Sequence, residues 1–211
     1  MEQSLSKAAA LLTAGGCVIY PTETYFALGA RATDAKALAR IMAIKARPSS
    51  KPLPLLVGDM GHLAAIFPDN FLDGPLEADF FDLSARFWPG PLSLVVPCRE
   101  TLPGLVQDAT GCVSVRFTPH PSAAALCRLA GGAIVATSAN RSGQPPAARL
   151  EQLDPQVVAS ADALVTDGPL PGGGPASTVA GLLGGRRLRI FREGAVPISR
   201  LEQTGYSIIR E

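Results

Sequence analysis

Short apolar runs alternate with helix-period patterns along most of the chain. Ala8 to Cys17 is apolar and small and passes directly into Val18-Ile19-Tyr20. This reads as a helix followed by a buried strand, Cys17 to Tyr20, ended by Pro21. Thr33 or Asp34 can cap a helix that carries Leu38, Ile41 and Met42 at helical spacing. Pro48 disfavours helical geometry at Arg47, so that helix is expected to end at or just before Lys45 to Arg47. On a continuing helix Lys45 and Arg47 would point roughly 200° apart, whereas an extended segment would put both on one side. Further strands are predicted at Pro52 to Val57, Leu92 to Val96, Val113 to Phe117, Ala133 to Ala136, Ala163 to Thr166, Thr178 to Leu183 and Leu188 to Phe191. Helices are predicted at Phe80 to Phe87 and Pro121 to Ala130. The alternation predicts an α/β fold, a single domain over residues 1–211 with an open, twisted, mixed or parallel sheet and flanking helices. Gly168 to Pro175, the richest Gly/Pro stretch, is too short to separate domains and reads as a loop.

Composition narrows the function classes. The 211 residues are 47% hydrophobic and 18% charged, enough apolar surface for a substantial core. Nineteen Lys plus Arg against eighteen Asp plus Glu leave a formal charge of +1. A global electrostatic case for nucleic acid is therefore absent, and any basic site must be local. Cys17, Cys98, Cys112 and Cys127 show no C-x-x-C pairing, and His62 and His120 are the only histidines. No zinc cluster of the usual spacing can be assembled, so the metal expectation is none. Unpaired buried thiols point to a reducing compartment, most simply the cytoplasm. Glu2 and a single Lys7 make a poor positive leader, and no run approaches the ~18 apolar residues that span a bilayer.

Several mechanisms drop out. Gly172-Gly173-Gly174 leads to Ser177-Thr178 without the lysine of a phosphate-binding loop, no dinucleotide fingerprint follows a strand, and Ser138 and Ser142 lack the glycine pair of a nucleophile elbow. What remains is a spread of polar residues at element ends. Pro21-Thr22-Glu23-Thr24 follows the first strand, and its hydroxyls serve either a ligand or a Pro-initiated turn. Lys45-Ala46-Arg47-Pro48 closes a helix with two cations, which either face an anion or suit the helix C-terminus. Thr137-Ser138-Ala139-Asn140-Arg141-Ser142-Gly143 ends an apolar strand with ligand-binding or helix-capping side chains. Arg116 sits inside the apolar strand Val113-Ser114-Val115-Arg116 and needs an anion or carboxylate partner. Arg186, Arg187, Arg189 and Arg192 form a basic cluster, and Arg192-Glu193-Gly194 has the look of a specific turn.

Read together, these residues resemble the YrdC-like domain family, the threonylcarbamoyl-adenylate synthases that begin N6-threonylcarbamoyl modification of adenosine in transfer RNA. The matching stretches are Tyr20-Pro21-Thr22-Glu23-Thr24 with Leu28-Gly29, and Ile44-Lys45-Ala46-Arg47-Pro48 with Lys51-Pro52-Leu53. They continue with Pro89-Gly90-Pro91-Leu92-Ser93, Val113-Ser114-Val115-Arg116, Ser138-Ala139-Asn140-Arg141-Ser142-Gly143, Ser177-Thr178-Val179 and Arg192-Glu193-Gly194, in family order. The chain departs from the family pattern at Tyr25-Phe26-Ala27, where Val-Tyr-Gly is usual, and at Ser93, where threonine is usual. The departure at Tyr25-Phe26-Ala27 bears on amino-acid selectivity more than on nucleotide binding. The chain ends soon after the last matching block, like the short form of the family.

The resemblance implies a concave basic cleft in which L-threonine, bicarbonate or carbon dioxide, and ATP give threonylcarbamoyl-adenylate and pyrophosphate. Mg²⁺ would accompany the ATP. It assigns Lys45 and Arg47 as catalytic residues at the phosphates and carbamate, with Ser138, Asn140 and Arg192 on the nucleotide side. Thr22, Arg116 and Ser177 fall on the threonine and carbamate side. The implied partners are these substrates, a contact with RNA or transfer RNA, and downstream modification proteins that receive the product; no membrane is implied. The competing classes are an RNA-binding or ribosome-associated module of the same fold and a related enzyme using another carbamoyl-adenylate chemistry.

Overall fold

In the computed structural model, residues 2–209 are described. The chain opens with α1 (Glu2–Thr13), which buries Leu5, Ala8, Ala9 and Leu12, one stripe at helical spacing. β1 (Val18–Pro21) and β2 (Phe26–Gly29) pair antiparallel. Pro21 is thus the last residue of β1 rather than its terminator. β1 has no polar alternation because both of its faces are covered. Ile19 packs with Phe26 and Leu28 in one core, and Val18 and Tyr20 pack with α1 in a second.

α2 (Ala35–Lys45) starts at Asp34, whose carboxylate accepts from the Lys36 and Ala37 amides at 3.0 Å each. Its buried stripe is Ala37, Leu38, Ile41 and Lys45, so the helix carries a lysine inward on its apolar face. The expected extended segment at Lys45 to Arg47 is not what forms. Ala46 adopts the left-handed conformation, φ 47° and ψ 45°, and the Arg47 amide donates back to the Met42 carbonyl at 3.0 Å. This left-handed cap separates the two cations by turning the chain, without extending it.

β3 (Leu55–Val57) is shorter than its predicted run because Pro52 and Pro54 cannot donate to a ladder. α3 (Glu77–Phe87), β4 (Leu92–Pro97), β5 (Cys112–Phe117) and α4 (Pro121–Leu129) follow, close to their predicted bounds. Of the predicted strand Ala133 to Ala136 only β6 (Ile134–Val135) forms, and β7 (Thr137–Ser138), just beyond it, belongs to the other sheet. Then come α5 (Pro155–Ser160), β8 (Ala163–Leu164), β9 (Thr178–Leu182), β10 (Arg187–Arg192), α6 (Ile198–Gln203) and β11 (Ser207–Ile209).

The strands form two mixed sheets where the sequence suggested one. The smaller runs β7-β2-β1-β8 and the larger β11-β10-β9-β4-β5-β3-β6. The chain changes sheet between β6 and β7, at Ala136. That crossing brings the polar segment after Ser138 to the space between the sheets.

Candidate functional site

A cleft of about 450 Å³ opens between the two sheets, within the size range of small-molecule sites. The smaller sheet contributes Ala27 and Ser138, paired across β2 and β7. The larger contributes Ser93, Ser114, Arg116, Val179 and Arg192. Loops add Thr22, Thr24, Tyr25, Arg47, Asn140 and Ser177. Of the eight residues singled out in the sequence, seven line this cleft; Lys45 does not.

Lys45 lies behind the wall instead. It is 2% exposed, and its ammonium donates to the main-chain carbonyls of Ser138 and Asn140. Its own carbonyl accepts from the Ser142 amide at 2.8 Å. The helix end and the polar segment are thereby one unit. Burial, and secondarily the charge of Arg47, pulls the Lys45 ammonium down to about 8. Asn140 is clamped through its side-chain amide, which donates to the Arg141 and Gln144 carbonyls. Its Oδ1 is buried and has no protein partner among the described residues.

Arg47 and Arg192 enter the cleft from opposite elements. Arg47 is fixed by the Lys51 carbonyl at 2.8 Å and the Pro52 carbonyl at 2.9 Å. Arg192 donates from Nε and Nη2 to the Ser177 carbonyl, at 3.0 and 2.8 Å, and to Ser177 Oγ at 3.1 Å. A register shift between Ile190 and Arg192 sets the arginine opposite Val179. Gly194 then lets the chain pass close to this point, since a Cβ there would sit 2.0 Å from the Ala176 carbonyl oxygen. The turn read from Arg192-Glu193-Gly194 is therefore a close backbone crossing. Among the described residues neither arginine has a carboxylate within ion-pair distance. Burial lowers both guanidinium groups, and Arg192 lowers Arg47 further. Two cations without a carboxylate partner among the described residues thus line one cleft, an arrangement suited to an anion.

Arg116 differs. Its guanidinium is ion-paired with Glu23, whose other oxygen accepts from Thr118 Oγ1 at 3.0 Å. Burial draws Arg116 down to about 10, which leaves it protonated at neutral pH. The partner that this buried arginine demanded is thus a residue of the Thr22-Glu23-Thr24 turn. Thr22 Oγ1 donates to the Tyr25 carbonyl at 2.7 Å and lies 3.4 Å from Thr24 Oγ1. Ser177 Oγ is 3.2 Å from Ser93 Oγ.

Ser114, Gln144 and the pairing role of Glu23 were not singled out from the sequence. Ser114 carries a buried hydroxyl in the cleft floor that has no protein partner among the described residues. It precedes Arg116 by two on the same strand, so period-2 alternation already put both on one face. Nothing local marked Glu23 as a buried partner. The terminal arginines other than Arg192 are taken up elsewhere. Arg186 contacts Asp82 and the Tyr206 ring, and Arg187 bonds the Gly184 carbonyl.

Among the described residues no three His, Cys, Asp or Glu side chains gather to hold a metal. No described helix is long and apolar enough to cross a membrane.

The family model described as Telomere recombination, Sua5_yciO_yrdC, matches residues 10–194. The threonylcarbamoyl-AMP synthase of Halorhodospira halophila is 39% identical over 158 residues, 75% of this chain and 80% of that protein. That of Stenotrophomonas maltophilia is 32% identical over 193 residues, 89% of this chain and 98% of its own. Among solved structures, P. abyssi Sua5 complexed with L-threonine superposes with a TM-score of 0.85 at 31% identity. The match covers 99% of this chain, which spans 60% of that protein's length.

Proposed function

The chain belongs to the Sua5/YciO/YrdC family, and from that premise we propose that it is an L-threonylcarbamoyladenylate synthase serving the N6-threonylcarbamoyladenosine modification of transfer RNA. L-Threonine's amine takes up the one-carbon unit of bicarbonate or carbon dioxide. The resulting carbamate oxygen attacks the α-phosphorus of ATP, and the bond to pyrophosphate breaks. Negative charge then grows on the phosphoryl oxygens and the leaving group, so fixed cations supply most of the acceleration.

The observation that carries this reading is the pair of uncompensated arginines, Arg47 and Arg192, facing one cleft beside Ser138 and Asn140. In this reading they bind the phosphates, and the free Oδ1 of Asn140 and the Ser138 hydroxyl hold the nucleotide. Lys45 spends its ammonium on the Ser138 and Asn140 carbonyls, so in this reading it holds the wall that carries Ser138 and Asn140 and adds its charge from behind that wall. Thr22, Arg116 and Ser177 serve the amino acid and carbamate. Mg²⁺ bound to the triphosphate would neutralise part of the leaving-group charge, with Ser93, Ser114 and Ser177 as nearby oxygen donors.

Pyrophosphate release with ATP and bicarbonate, with and without L-threonine, tests the assignment. Release that requires L-threonine supports it. Release driven by another amine makes the protein a related carbamoyl-adenylate enzyme, and transfer-RNA binding without release makes it a binding module.

A further inference from the structure

Just past the register shift at Arg192, side chains take over the hydrogen bonds that join β9 to β10. Arg192, the last residue of β10, donates from Nε and Nη2 to the Ser177 carbonyl and from Nη2 to Ser177 Oγ. That engages three of the five guanidinium N–H groups. The two on Nη1 have no protein partner among the described residues. Since Arg192 lines the cleft, Nη1 is the part of the fork left for an anion.

Thr178, the first residue of β9, is completely buried and is not among the residues that line the cleft. Its Oγ1 donates to the Val196 carbonyl at 2.6 Å, and accepts from the Gly194 amide at 2.9 Å and the Val196 amide at 3.1 Å. A hydroxyl has one proton and two acceptor lone pairs, so all three are engaged and none remains for a ligand. Thr178 can therefore act only through the chain it holds. That chain is the segment directly after Arg192. Gly194 lies against the Ala176 and Ser177 backbone, and the Ala195 amide donates to the Ala176 carbonyl at 2.8 Å. The Thr178 hydroxyl thus sets the distance between the backbone of Arg192 and Ser177, whose carbonyl holds the guanidinium.

The choice of partners matters. A carboxylate would fix this arginine equally well but would neutralise it. A carbonyl and two hydroxyls fix it and leave its charge available, and a fork already held loses little freedom when an anion arrives. From this geometry we infer that Thr178 is a positioning residue for Arg192, aiming its guanidinium at a phosphate-bearing ligand in the cleft. The inference rests on the reading of Arg192 as a phosphate-binding cation given above.

The test is a double-mutant cycle on the binding of inorganic pyrophosphate, measured by titration calorimetry without turnover. Arg192→Ala should weaken binding by about 10- to 100-fold, the size of hydrogen bonds to a charged group. Thr178→Val, which deletes the hydroxyl and keeps the shape, should weaken it by about three- to tenfold, a part of the same loss. In the Arg192→Ala background Thr178→Val should change the affinity no further, because the residue it aims is gone. Thr178→Ser should bind like the wild type. Should Thr178→Val not fold, Thr178→Ser against Thr178→Ala compares the same hydroxyl, present and absent, in a smaller side chain. Unchanged affinity on loss of the hydroxyl, or the same fold-loss in both backgrounds, overturns the inference and leaves the anion reading of Arg192 standing. Undiminished pyrophosphate binding by Arg192→Ala removes that reading, and the role of Thr178 with it.

Discussion

The Lys45 ammonium donates to the carbonyl of Asn140, 95 positions further along the chain. The same ammonium reaches the Ser138 carbonyl, and the Lys45 carbonyl receives the Ser142 amide. A helix end and a strand end are thereby locked into one wall of the cleft. The wall fixes Asn140 Oδ1, and it sets the distance between the backbone at Ser138 and the arginine that follows Ala46.

Replacing Lys45 or Arg47 by alanine should lower adenylate formation by at least ~10²-fold, the usual cost of removing charge stabilisation of a transition state. The two variants should differ in character. Arg47→Ala removes a cleft cation and leaves the fold intact, whereas Lys45→Ala also leaves the Ser138 and Asn140 carbonyls unpaired. Pyrophosphate release combined with denaturant unfolding separates them: only Lys45→Ala should lose substantial stability.

The pH response follows from the same lysine. Its ammonium titrates near about 8 in the folded protein against an ordinary value of 10.5. Loss of that charge removes an attraction for phosphate, so kcat/KM for ATP should fall as pH rises through about 8. Stability should move the other way. Between the two values the unfolded chain binds more protons than the folded one, and this group's contribution to stability therefore grows with pH. Lys45→Arg should carry the descent in activity to higher pH.

Glu23→Gln should destabilise the protein by roughly 3–5 kcal/mol, because Arg116 is left charged and buried without its partner. Pairing it with Arg116→Met should restore most of that loss. Urea unfolding of both single variants and the double variant measures the coupling, and additive losses would contradict the pairing.

Gly194→Ala forces a methyl group against the Ala176 carbonyl and the Ser177 backbone. The segment that anchors Arg192 must move, so the KM for ATP should rise together with a loss of about 1–3 kcal/mol in stability. An unaltered KM for ATP would mean that Arg192 does not depend on this crossing.

Much of this site was legible in the residues, for reasons that can be named. Leu38, Ile41 and Lys45 share one helical face, so the spacing that predicted α2 also predicts an inward lysine. Arg116 in an apolar strand announced a buried charge, and alternation carries Ser114 to its side. The fate of Ala46 was less accessible. Pro48 signals that the helix must end, but a left-handed alanine or an extended segment satisfies that signal equally well. The change of sheet between β6 and β7 depends on which neighbours those residues meet, Leu55 and Leu56 for one, Ala27 and Leu28 for the other. Those partners are distant in the chain and leave no local trace. For the same reason Glu23 gave no sign of its pairing with Arg116, nor Tyr25 of its bond to Gly174.

The most direct measurement is product identification. The purified protein would be incubated with ATP, L-threonine and ¹³C-labelled bicarbonate, and the nucleotides read by mass spectrometry. The predicted result is an adenylate that carries both the threonine and the labelled carbon, formed with stoichiometric pyrophosphate and absent from the Arg47→Ala reaction. Turnover of ATP without that adenylate, or the same yield from Arg47→Ala, would contradict the assignment of this cleft.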